Sequence, residues 1–189
     1  YMKSDHGGLL ELPCGFGKTV IALNILSRIK KKTLIIVHKE FLVSQWIERI
    51  EQFIPEATIG KIQGKITEID ADIVICMLQS VAMKEYPIDM FKTFGLTIID
   101  ECHHMSAEVF SNALFKIVSH KMLGLSATMT RKDGLSCVFK MFIGPVLIKR
   151  KRKENTNVKI LVERFNTSSD EYNKVEINFN GRVNYSKMI

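Results

Sequence analysis

The sequence predicts an α/β domain with a mostly parallel sheet flanked by helices, and three observations predict it. Short, nearly continuous apolar runs recur at residues 8–12, 33–38, 72–77, 96–100 and 122–126. Strands covered on both faces read this way, whereas half-exposed strands alternate. Between the runs, apolar residues recur at helical spacing, and strand-helix alternation of this kind builds parallel sheets. The 189 residues are 46% hydrophobic and 25% charged, which is enough to bury a core without disulfides or metal.

In chain order, the run at 8–12 is the first strand. Residues 20–29 are apolar nearly all round, which predicts a helix buried beside the sheet. After the strand at 33–38, Leu42, Val43, Trp46, Ile47 and Ile50 form one helical stripe, with Glu48, Arg49 and Glu51 opposite. Strands at 72–77 and 96–100 follow. Val109, Phe110, Ala113, Leu114 and Ile117 repeat the helical stripe, with Ser106 placed to cap it. The strand at 122–126 comes next. The pattern changes at Lys149-Arg150-Lys151-Arg152-Lys153, five consecutive cations, and further strand signals fall at 158–163 and 175–179. The expected organisation is a domain over residues 1–148, truncated at its N-terminal side because Tyr1 is not a natural start. Residues 149–189 would be a basic linker and connector.

Lys and Arg number 27 against 20 for Asp and Glu, so the net charge is +7, which favours a polyanionic partner without requiring one. The four cysteines form no C-x-x-C pair and read as reduced thiols of an intracellular protein. Cys102-His103-His104 does not make a metal site, because adjacent side chains rarely converge on one ion. The apolar runs are far too short to span a bilayer, so no membrane partner is expected.

Two segments carry chemistry. Leu12-Pro13-Cys14-Gly15-Phe16-Gly17-Lys18-Thr19 runs from the first strand straight into a helix. Glycines there let backbone amides curl around a triphosphate, and the helix adds its positive end. Residues 13–19 are therefore the candidate ATP cradle, with Lys18 for the β and γ phosphates and Thr19 for magnesium. Leu12 stands where the strict pattern has glycine, and an ordinary glycine-containing turn is the plain alternative. The second segment is Asp100-Glu101 at the end of a buried strand, where ligands bind in open α/β sheets. Asp100 suits magnesium and Glu101 the attacking water; the plain alternative is a strand running into a solvated loop.

With these residues, the chain resembles the first RecA-like domain of superfamily 2 helicases and translocases. Asp100-Glu101-Cys102-His103 is similar to their D-E-x-H box and Ser126-Ala127-Thr128 to their S-A-T motif. Their relaxed Walker A form tolerates Leu12. Residues 37–46 and Arg131-Lys132-Asp133 are similar to the branch holding the repair helicase of TFIIH, with lysine replacing a glutamate. Helicases of large cytoplasmic DNA viruses, of the poxvirus and African swine fever virus types, share these patterns. The resemblance implies ATP and Mg2+ as cofactors, and catalysis by Lys18, Asp100, Glu101 and His103. It implies coupling through Ser126, Ala127, Thr128, Arg131 and Asp133. Lys39, Gln79 and Ser80 would contact nucleic acid, DNA in preference to RNA. It also implies a second RecA-like domain supplying arginines, a host-cytoplasm or virion location, and an adenine-reading glutamine motif upstream of Gly8, which residues 1–7 do not contain.

Two other functions share parts of this pattern. A P-loop small-molecule kinase would also use Gly-Lys-Thr, but leaves the Asp-Glu-Cys-His run unexplained. A nucleic-acid-binding module with a vestigial ATP site would not need Lys18, Thr19, Asp100 and Glu101 together. The basic run at 149–153 can hold phosphates, act as a targeting address, or be a solvated linker.

Overall fold

The computed structural model describes residues 7–87, 89–101, 107–117, 119–128, 136–151 and 177. The chain divides into a compact unit over residues 1–152 and a second over 153–189. The first is described here. Eight strands form one sheet: β1 (Gly7–Glu11), β2 (Thr33–Val37), β3 (Ile59–Gln63), β4 (Ile66–Thr67), β5 (Ile73–Met77), β6 (Leu96–Asp100), β7 (Lys121–Ser126) and β8 (Val146–Lys149). Their spatial order is β4-β3-β5-β2-β6-β7-β1-β8. Every pairing is parallel except β3 with β4.

The helices are α1 (Lys18–Ile29), α2 (Glu40–Phe53), α3 (Leu78–Met83), α4 (Ala107–Leu114) and α5 (Ser136–Ile143). Alternation along each strand sorts them into two layers. Ile35 and Val37 of β2, with Ile98 of β6, pack against Ala22, Leu26, Trp46 and Ile50 of α1 and α2. Leu34, Ile36 and Ile99 point the other way, into a cluster with Val81, Phe110, Ala113, Phe139 and Ile143 of α3, α4 and α5. Both faces are thus covered, which is why the strands read as unbroken apolar runs. Phe110 meets Phe139 edge-on at 4.7 Å between ring centroids and Phe142 at 6.0 Å. Phe110→Ala is expected to cost about 3–5 kcal/mol, measured as a lowered urea midpoint.

Three features depart from the expectations. α1 buries a stripe, Ala22, Leu23, Ile25 and Leu26, while Val20 is 45% exposed. An outer-layer helix needs only one apolar face, so its remaining apolar residues meet solvent. Strands β3, β4 and β8 and helices α3 and α5 were not anticipated; β3 is short and alternating, and β8 runs directly into the cations. Lys149 closes β8 and pairs with the buried Glu11 carboxylate at 2.9 Å, and the Arg150 N–H donates to Glu11 O. The strand signals at 158–163 and 175–179 lie outside the described residues, apart from Ile177.

Because the main strands are parallel, their C-terminal ends share one edge of the sheet. Glu11 pairs with Ser126 across β1 and β7, and Asp100 with Leu125 across β6 and β7. Topology alone thus brings Asp100, Glu101, Ser126 and the loop after Glu11 to that edge.

Candidate active site

β1 hands the chain to the loop at 12–17, which leads into α1. Leu12 N–H donates to Ser126 O at 2.9 Å and Phe16 N–H to Pro13 O at 3.2 Å, so the loop is tied to β7 and folded on itself. Gly15 and Gly17 both have φ 78°, in the left-handed region, and a Cβ at either would point into open space. Glycine takes this conformation without strain, and two such residues turn successive amides inward. Gly17 caps α1 without a side-chain hydrogen bond, and the first turn carries no acidic residue. The helix's positive end is therefore left for an anion.

Lys18 reaches from this turn across to β6. Its Nζ lies 3.2 Å from Glu101 Oε1 and 3.4 Å from Leu12 O. Glu101 itself sits at φ 49°, unusual for a residue with a side chain, and there the chain leaves β6. Asp100 is only 6% exposed, and its Oδ2 accepts a 2.9 Å hydrogen bond from the indole Nε1 of Trp46. Burial pushes the Asp100 carboxyl above its ordinary range; the Trp46 bond and the Lys18 charge oppose that shift, while Glu101 adds to it.

Loop, helix and carboxylates border an open cleft of about 470 Å³, lined by Cys14, Gly15, Gly17, Lys18, Thr19, Asp100 and Glu101. The Thr19 hydroxyl and the two carboxylates offer only hard oxygen donors, the set that suits Mg2+ rather than a softer metal. The cradle suits a triphosphate and the carboxylates suit its cation. Val20 of α1 and Leu42, Gln45 and Arg49 of α2 form the rest of the wall. Sequence periodicity places Arg49 on the face opposite the apolar stripe, yet it borders the cleft. The signal that could have found it is the position of α2 directly after the neighbouring strand β2.

Beside the cleft, β2 and β5 are adjacent, and their ends bring Lys39, Gln79 and Ser80 to one rim. The Gln79 amide donates to His38 O at 3.0 Å, and Ser80 Oγ accepts from Gly64 N at 3.2 Å. Lys39 Nζ lies 5.8 Å from the exposed Phe41 ring. Ser126 is buried, and its hydroxyl donates to Thr128 O at 2.6 Å while receiving Thr128 N–H at 3.2 Å. Ala127 links the two. His103, Arg131 and Asp133 lie outside the described residues, as do Cys102, His104, Ser106 and Lys132. Cys14 and Cys76 are free thiols.

Residues 2–131 match the family described as the res subunit of type III restriction enzymes, ResIII. The chain belongs to the ResIII family. It is 40% identical over 192 residues to protein L396 of Acanthamoeba polyphaga mimivirus, provisionally named an ATP-dependent RNA helicase, covering 100% of this chain and 37% of that protein. It is 33% identical over 150 residues to the DNA 3'-5' translocase XPB2 of Sulfurisphaera tokodaii, covering 79% of this chain and 33% of that one. The UvsW helicase of bacteriophage T4 superposes with a TM-score of 0.64 at 22% identity, over 76% of this chain and 54% of that structure. The ResIII chain thus has the RecA-like fold of superfamily 2 helicases, and it spans about a third of the length of these two relatives. Among the described residues, no helix is long and apolar enough to cross a membrane.

Proposed function

We propose that the chain is an ATP-binding motor domain of a nucleic-acid helicase or translocase, working on DNA in preference to RNA. The observation that carries this reading is the cleft in which Lys18, opening α1, and Glu101, just past the end of β6, meet at 3.2 Å from points far apart in sequence. Both side chains are largely sheltered from water, and taking two charges out of water offsets most of what their attraction returns, so the pair serves a nucleotide better than it serves the fold. Lys18 leaves Glu101 to hold the β and γ phosphates, helped by the amides of residues 13–19. The Thr19 hydroxyl and Asp100 would hold the magnesium ion. When bound, Mg2+ draws charge away from the phosphate oxygens during transfer to water. Glu101, released by Lys18, orients the attacking water and takes its proton.

Lys39, Gln79 and Ser80 contact the nucleic-acid backbone along their rim. Ser126, Ala127 and Thr128, together with His103, Arg131 and Asp133, relay closure to a second RecA-like domain. The two relatives are about three times the length of this match, which leaves room for such a domain. Residues 149–189 then connect the two. The preference for DNA is supported by the likeness to an archaeal DNA translocase; the likeness to a mimivirus protein supports a viral origin and a cytoplasmic or virion location.

The deciding experiment is ATP turnover by the full-length protein alone and with single-stranded DNA, duplex DNA or RNA. Stimulation by DNA above that by RNA is expected, and turnover indifferent to every nucleic acid sinks the reading. The 189-residue chain alone should turn over slowly, because arginines from a second domain are worth about 10³- to 10⁵-fold in related hydrolases.

A further inference from the structure

We propose that Trp46 is a positioning residue for the magnesium-nucleotide site, holding Asp100 through its indole N–H. The inference rests on the reading of the cleft as an ATP site. Trp46 is the chain's single tryptophan and is 1% exposed, packed on the α1–α2 face of the sheet. Its neighbours there are apolar, among them Ile35, Val37, Val43 and Ile98. A phenylalanine would fill such a place without bringing a donor that must be satisfied once buried. The indole N–H spends that donor on Asp100 Oδ2 at 2.9 Å, across 54 residues of sequence. One fixed oxygen sets the rotation of the carboxylate plane, and with it the direction of the second oxygen. Partners of this kind decide how well a carboxylate serves a metal.

The position of Trp46 along α2 gives the contact a second consequence. α2 begins at Glu40, directly after Lys39, and Gln79 grips the neighbouring His38 carbonyl at 3.0 Å. Trp46 lies six residues into the helix, about 9 Å along its axis. One rigid helix therefore joins the rim proposed for nucleic acid to the carboxylate proposed for magnesium. A shift of α2 at Lys39 is delivered to Asp100 through the indole.

The test compares the 189-residue chain with its Trp46→Phe variant. Binding of a fluorescent ATP analogue is titrated with and without Mg2+, and circular dichroism verifies the fold. Trp46→Phe should lose about 10- to 100-fold in the Mg2+ concentration needed to tighten nucleotide binding, with Mg2+-free binding close to wild type. An equal Mg2+ response in both proteins overturns the inference. An equal loss with and without Mg2+ also overturns it, because that pattern marks a packing role alone. A Trp46→Phe, Asp100→Asn double variant should lose no more than Asp100→Asn, and additive losses count against the contact. Should Trp46→Phe not fold, the wild-type tryptophan emission decides: it should shift with ATP and Mg2+ together and stay still with ATP and EDTA. Emission that ignores Mg2+ overturns the proposal. A wild-type chain that binds no nucleotide at all refutes instead the ATP-site reading beneath it.

Discussion

Lys18→Ala is expected to abolish productive ATP binding and lower turnover of the full-length protein by at least about 10²- to 10³-fold, the usual loss when a preorganised charge-stabilising group is removed. The fold should survive. Lys18 stands in the first turn of α1, and among the described residues its ammonium meets Glu101 and Leu12 O at the cleft. Neither contact supports the core, so the melting temperature should move little. The effect is large because Lys18 is the cation that the cradle brings to the phosphates, and the dipole of α1 supplies only partial charge. Fluorescent-nucleotide titration and steady-state hydrolysis check it. A Lys18→Ala protein that retains full nucleic-acid-linked activity would revive the view that the ATP site is vestigial.

Glu101→Gln is expected to separate binding from chemistry. Glutamine keeps the length of the side chain and can still accept from Lys18, so nucleotide affinity should hold. It cannot take a proton from water, and turnover should fall by about 10²- to 10⁴-fold, the span of general-base contributions. The measurement is a burst or single-turnover experiment beside an equilibrium titration. Turnover within a few-fold of wild type would remove Glu101 from the role of base, and lost affinity would assign it to ground-state binding.

What sequence could and could not reveal follows from the physics of each element. The five buried strands at the heart of the sheet were legible because both of their faces are covered, so every residue in Leu34 to Val37 is apolar. The strands toward the two ends of the sheet were not: β3 shows only Gly60 and Ile62 buried, and the edge strand β8 only half-buries Val146 and Leu147 before meeting lysine. The turn at 12–17 was legible because closely spaced glycines leading into a helix signal a tight loop, and Gly15 and Gly17 both take the left-handed conformation. The wall contributed by α2 was not, because Arg49 looks like any solvent-facing helix residue until the neighbouring strand is known. The bond from Trp46 to Asp100 was invisible for a similar reason, since an apolar stripe accounts for the tryptophan without its nitrogen. Nor does any composition rule announce a left-handed glutamate at 101, where the turn off β6 coincides with the ion pair to Lys18.

Glu11 occupies an uncommon mechanical station. Its main chain continues directly into the phosphate loop, its carbonyl receives the Arg150 N–H, and its carboxylate grips Lys149 at 2.9 Å. The loop that would feel the nucleotide and the strand by which the chain departs are therefore fastened to the same residue. Tension along the outgoing backbone reaches the nucleotide loop after crossing one amino acid, with no intervening helix to absorb it. In the proposed motor, which converts the state of a phosphate into displacement, that arrangement would be a short, stiff transmission.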